Sequence, residues 1–218
     1  MVAELAQIRA DWLALLERQR AIAIVRASSV AESLSMAQAA AAGGLRLIEV
    51  AWSSSGPPAE MLRAIRLALP HCTVGVGSVL TTEDLRGAIA VDAQFCFTPH
   101  TDPHLIHLAQ RAGLPLVAGA MTPTEILTAW RAGAASVKVF PISTLGNDAY
   151  LRSLRGPLGP IPLVPTGGVT SETAPGLMAA GAIAVGLSTA LFPADEVARE
   201  DWEAIEARSR YLLALLAP

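Results

Sequence analysis

"RAGAASVKVFP", residues 131–141, runs from the end of a helical pattern through a glycine into a short apolar stretch, and the same arrangement recurs along the chain. It is found again in "AAAGGLRLIEVAW" around Gly43 and Gly44, in "RAGLPLVAGA" at Gly113 and in "AAGAIAVGLS" at Gly181. An alanine-rich helix stopped by a left-handed glycine and followed at once by a buried strand has this form. Glycines 43, 113, 133 and 181 are 70, 20 and 48 residues apart. Those gaps approximate three, one and two lengths of a unit of roughly 23 residues, the size of a repeated βα element.

Filling the gaps predicts eight strands: 21–26, 45–52, 73–79, 93–98, 114–120, 136–141, 161–166 and 182–187. Amphipathic stretches such as "SVAESLSMAQAAA" and "TPTEILTAWRAG" separate them, several opening on a Ser, Thr or Asp that can cap a helix. Further helices are expected at about 3–18 and 198–215. Eight βα units in some 200 residues close into a (β/α)8 TIM barrel with an N-terminal helix, read here as one domain over 1–218. A doubly wound open sheet is the alternative.

The bulk properties agree with this architecture. Apolar residues make up 52% of the 218 and charged residues 16%, with a mean hydropathy of +0.45. Strands buried on both faces read as continuously apolar runs and raise such figures. No run reaches the ~18 apolar residues of a membrane span, and the start lacks the apolar core of a signal peptide. A net charge of −3 without an arginine cluster argues against nucleic acid. Cys72 and Cys96 sit in apolar surroundings without CxxC spacing, as reduced buried thiols do. The expectation is a cytoplasmic protein that meets neither membrane nor nucleic acid.

In a barrel of this kind, chemistry gathers where strands end and the following loops begin. That rule selects Arg26 after strand 1, Glu49 late in strand 2, and Ser78 after strand 3. It also selects Thr98, Pro99 and His100 after strand 4, Lys138 and Phe140 on strand 6, Thr166, Gly167 and Gly168 after strand 7, and Gly186, Ser188 and Thr189 at strand 8. Lys138 is the only lysine; the other fifteen Lys/Arg side chains are arginines. Arginine stays charged, whereas burial can drive lysine to the neutral, nucleophilic amine. An ordinary lysine is about 0.04% neutral at pH 7, so the gain available is several hundredfold. Arg26 is the neighbouring cation that would assist.

Glu49, in "LIEVA", is a carboxylate inside an apolar strand, suited to shuttling protons if burial raises its pKa. The bland alternative is a structural Lys138–Glu49 pair. "PTGGV" and "GLST" fit a phosphate pocket, with glycine N–H groups open to an anion and Ser188 and Thr189 adding donors at a helix start. In "HTDPHLIH", His100, His104 and His107 have a spacing that could bind metal. Pro103 in a first turn capped by Asp102 would instead leave His100 in the loop and the other two on the helix surface.

Taken in order, "GGLRLIEV", "VGVGSVLT", "TPH", "SVKVFP", "PTGGV" and "GLS" resemble the 2-keto-3-deoxy-6-phosphogluconate (KDPG) and 4-hydroxy-2-oxoglutarate (KHG) aldolase family, from about residue 20 to 192. The resemblance implies a class I aldolase on a (β/α)8 barrel, a homotrimer needing no metal or other cofactor, acting on a small, phosphorylated keto acid. It implies Lys138 as Schiff-base lysine, Glu49 as acid/base and Ser78 at the pyruvate end. Thr166, Gly167, Gly168 and Ser188 match the family's substrate and phosphate positions. Two positions depart from the pattern: Ser53 stands where arginine is common, and His100 where glycine is. The resemblance therefore implies the reaction type and leaves open KDPG, its galactonate epimer or KHG. A phosphosugar epimerase using Glu49 and Lys138 as bases, or a barrel that only binds phosphorylated metabolites, are the rival functions.

Overall fold

The computed structural model of the protein describes residues 2–217, so Met1 and Pro218 of the expected domain lie outside it. Helix α1 (Val2–Gln19) precedes β1 (Ala21–Val25), and the chain then alternates: α2 (Val30–Ala42), β2 (Leu47–Ala51), α3 (Pro58–Ala68), β3 (Thr73–Gly77) and α4 (Thr82–Ala90). It continues through β4 (Cys96–Phe97), α5 (Pro103–Arg111), β5 (Leu116–Ala120), α6 (Pro123–Arg131) and β6 (Ser136–Val139). After a short 3-10 turn come α7 (Asp148–Leu158), β7 (Leu163–Pro165), α8 (Ala174–Ala179), β8 (Val185–Leu187), α9 (Ala194–Ala198) and α10 (Trp202–Leu216).

Strand order β7-β6-β5-β4-β3-β2-β1-β8 is parallel throughout. The two ends of that order meet through a parallel bridge between Thr166 and Gly186 and a bond from Ile183 N to Leu163 O of 3.0 Å. The sheet is a barrel, and the doubly wound alternative falls away. Every predicted strand is present, but shorter than its apolar run. Residues at one or both ends of each run enter loops, most of all in strand 4, where only Cys96 and Phe97 remain as strand.

Local chemistry sets the helix ends. Ser29 caps α2 by accepting from Glu32 N, and Thr81/Asp84 and Thr122/Glu125 form reciprocal capping boxes on α4 and α6, worth about 1 kcal/mol each. Gly113, Gly133 and Gly181 take the expected left-handed conformation. Gly43 does not: its φ is −72°, and the following Gly44, at +105°, makes the turn. Gly43 serves close packing instead, since a Cβ there would lie 2.4 Å from Ser209 Cβ on α10. The helix expected at about 198–215 is α10, which begins four residues later at Trp202: α9 ends at Ala198, Glu200 turns left-handed (φ 54°), and Asp201 caps α10 through Ala204 N.

Two apolar layers result from strand alternation. The larger lies between the outer faces of the strands and the helices, with Val50, Val76, Cys96, Ala118, Val137 and Val185 among its members. The smaller fills the barrel: Ile22, Leu47, Phe95, Phe97, Val117, Val164 and Ala184 pack with Trp12 and Leu16 of α1. Helix α1 thus closes the end of the barrel where the strands begin. Trp12 stacks 5.1 Å from Phe95 and donates Nε1–H to Ser136 Oγ at 3.0 Å. Ser136 shares the inner face of β6 with Lys138, two residues on.

Candidate active site

Above this plug the inner face changes from apolar to charged. Glu49 pairs in register with Ile24 of β1 and Gly75 of β3, and Lys138 with Gly119 of β5 and Val164 of β7. Strands β2 and β6 are four apart whichever way the ring is followed, so the two side chains enter from opposite walls. Both are buried, Glu49 at 1% exposure and Lys138 at 5%.

Their neighbours are small where these chains need space. A Cβ on Gly77 would fall 1.6 Å from Glu49 Oε1, and one on Gly75 would fall 2.5 Å from the Phe95 ring. The amine of Lys138 stands 4.7 Å from the Phe140 ring centroid and 5.9 Å from that of Phe97. Burial lowers the Lys138 pKa, Glu49's charge opposes that, and Arg26 adds to the lowering. Burial raises the Glu49 pKa against the pull of Lys138 and Arg26. Desolvation comes first for both, and each is driven toward its neutral form. Glu49 Oε2 is buried without a hydrogen-bond partner among the described residues. A buried amine pressed toward its neutral form thus shares the site with a carboxyl that has one oxygen uncommitted, which is not the arrangement of a closed structural ion pair.

These two groups open into a cavity of about 210 Å³. Its walls bring together Arg26, Ser78, Pro99, Phe140, Thr166, Gly167, Gly168, Gly186 and Ser188 from the expected set. Ile24, Val169 and Thr189 line it too. Arg26 donates from Nη1 to Ser53 Oγ at 3.0 Å and from Nη2 to Ser78 Oγ at 3.4 Å, tying the ends of β1, β2 and β3 together. Ser78 itself holds φ at 60°, a conformation that costs a non-glycine residue of order 1 kcal/mol and aims its hydroxyl inward. Gly167 and Gly168 are both left-handed, at 90° and 77°. A Cβ on the first would crowd Phe140 at 2.9 Å and one on the second Ser143 Oγ at 2.3 Å, so the loop after β7 needs both glycines.

Two expectations change. Thr98 does not line the cavity: its hydroxyl donates to His100 O at 2.7 Å and accepts from Gly119 N at 3.2 Å. It ties the β4 loop to β5 instead of facing the cavity. Ser188 and Thr189 do not open a helix; they form a turn closed by bonds from Leu191 N and Phe192 N to Ser188 O, and α9 begins only at Ala194. The histidines do not converge: His104 and His107 are exposed on α5, which Asp102 caps with Pro103 in its first turn. No group of three or more potential metal ligands occurs among the described residues.

The family model described as "KDPG and KHG aldolase" matches residues 13–208. The chain belongs to the KDPG and KHG aldolase family. A 2-dehydro-3-deoxy-phosphogluconate aldolase of Pseudomonas aeruginosa is 32% identical over 206 residues, covering 93% of this chain and 92% of the relative. A probable 2-dehydro-3-deoxy-6-phosphogalactonate aldolase of Rhizobium meliloti is 31% identical over 172 residues, covering 78% and 81%. Among solved structures, one described as "Native KDPGal structure" superposes with a TM-score of 0.82 at 27% identity, covering 90% of this chain and 93% of that one. The aldolase family thus shares both the barrel and the span of this chain.

Proposed function

We propose that this family member is a class I aldolase that cleaves a 2-keto-3-deoxy sugar acid to pyruvate and an aldehyde, with Lys138 as nucleophile and Glu49 as proton shuttle. The observation that carries this reading is the opposed, buried Lys138–Glu49 pair, each group pressed toward its neutral form at the cavity floor. Neutral Nζ attacks the C2 ketone, and the oxygen takes a proton to give a carbinolamine. Glu49 donates a proton as the hydroxyl leaves as water, forming the iminium. The resulting carboxylate takes the C4 hydroxyl proton. The C3–C4 bond then breaks: its electrons flow into the iminium to form an enamine, and C4 becomes the aldehyde carbon. Protonation at C3 and addition of water release pyruvate and restore the amine.

Ser78 and Arg26 lie where the keto acid carboxylate would rest, and Gly167, Gly168 and Ser188 line the far side, suited to a distal phosphate. The names of the relatives favour KDPG as substrate, with glyceraldehyde 3-phosphate as second product, and KHG as a smaller analogue. The R. meliloti relative supports a second reading, the phosphogalactonate epimer. The assembly we propose is a cytoplasmic homotrimer of one barrel domain per chain. Family resemblance supports it, as do Leu80 and Met121, 54% and 44% exposed on the loops after β3 and β5.

Incubation with pyruvate, reduction with borohydride and mass spectrometry test the chemistry. One reduced pyruvyl group is expected on Lys138 and none in Lys138→Met. An epimerase or a binding protein gains no adduct, and that result would overturn the proposal. Rates on KDPG, its galactonate epimer and KHG then rank the substrates.

A further inference from the structure

A second cavity, of about 560 Å³, adjoins the 210 Å³ reaction site, and the two share Arg26, Ser188 and Thr189 as lining. It lies over the ends of β1, β2 and β8 and is more than twice the size of the site it adjoins. Ser28, Ser53, Ser54 and Ser55 give one side hydroxyls; Met36 and Phe192, both buried, give the other an apolar face. Resting on the aldolase reading, we propose that this chamber receives the neutral, polyhydroxylated tail of an aldehyde of four or five carbons, so that the enzyme also joins pyruvate to such acceptors.

Hydroxyls that both donate and accept match a chain bearing a hydroxyl on every carbon, while the apolar wall suits its C–H edges. The charges argue for a neutral tail. Glu32 lines the chamber, and its carboxylate accepts from Ser28 N and, at 2.8 Å, from Ser28 Oγ. A phosphate beside it would meet a fixed negative charge. The cation at the boundary, Arg26, directs Nη1 to Ser53 and Nη2 to Ser78. The chemistry is the reverse of cleavage. The enamine carbon of Lys138-bound pyruvate bonds to the aldehyde carbon, the carbonyl electrons pass to its oxygen, and that oxygen takes a proton from Glu49. Water then hydrolyses the iminium and frees the longer keto acid.

The test measures kcat/KM for aldol addition of pyruvate to glyceraldehyde, erythrose and ribose, each at matched open-chain concentration. Erythrose or ribose should exceed glyceraldehyde by about tenfold, the worth of one or two added hydrogen bonds. Ala194, exposed at the start of α9, lines the chamber but not the reaction site. Ala194→Trp should abolish the advantage while glyceraldehyde turnover and the borohydride-trapped pyruvyl adduct persist. Ala198→Trp, one turn further along α9, supplies an independent obstruction if the first variant does not fold. Rates that stay flat or fall with chain length, or a preference that survives both substitutions, would overturn the chamber while leaving the trapped adduct intact. Absence of the adduct in the unaltered protein would sink the aldolase reading, and the chamber proposal with it.

Discussion

Oε1 of Glu49 fills the space beside Gly77: a Cβ on that glycine would lie 1.6 Å from the oxygen. Strand β3 carries glycine at its inward positions 75 and 77, and the bare strip lets the carboxylate of β2 lean across its neighbour. Gly77→Ala requires no unusual backbone angle, so its consequence is displacement of Glu49. Steady-state kinetics should show kcat/KM for cleavage falling about a hundredfold, with the protein still folded by circular dichroism. Activity within about threefold of the parent would show that the carboxyl position does not govern proton transfer.

The pH dependence of trapping tests the lysine. Imine formation needs the free amine, so the borohydride-trapped fraction should rise with pH through an inflection below the ordinary lysine value of about 10.4. Glu49's charge holds that inflection up against burial. Removing it in Glu49→Gln should move the inflection to lower pH while slowing turnover by about 10²–10⁴-fold. An inflection that moves upward would contradict the opposed-wall geometry.

Burial of Lys138 should also cost stability. Its folded pKa is depressed, so between the folded and unfolded values the unfolded chain binds more protons at this residue, and below that window the folded state carries the full penalty. The penalty shrinks as pH rises from the folded toward the unfolded pKa. Lys138→Met should therefore be inactive yet more stable, by about 1–2 kcal/mol in urea titration at neutral pH, with the difference narrowing toward pH 10. A constant or widening difference would contradict the depressed pKa.

Thr98 separates structural from chemical roles. Thr98→Val keeps the shape but leaves Gly119 N–H without its acceptor, costing about 1–3 kcal/mol in denaturant unfolding. The kcat/KM should stay within about threefold, because the hydroxyl faces backbone and not the cavity. A large loss of activity at unchanged stability would return Thr98 to the substrate.

Much of this was legible in the chain itself. Glycine stops followed by apolar runs announce βα units, because both signals are local. Glu49 and Lys138 stand out because a charge inside a buried strand has to be explained by chemistry or by pairing. What escaped the sequence depends on contacts between distant segments. The Thr98 hydroxyl is claimed by His100 and by Gly119 of the next strand, and Gly119 comes so close that a Cβ there would lie 2.2 Å from the Pro99 carbonyl carbon. The break between α9 and α10 falls at Glu200, where neither glycine nor proline marks it. Ser53 could be seen as a departure from the family pattern, but its bond to Arg26 needs strands β1 and β2 side by side.

The indole of Trp12, wedged under Phe95 and bonded to Ser136, makes the cylinder a blind alley. Under the proposed mechanism substrate and both products use a single doorway, and the fragment bonded to Lys138 waits at its inner end. Departure is therefore sequential: the aldehyde has to clear the passage before the keto acid can follow.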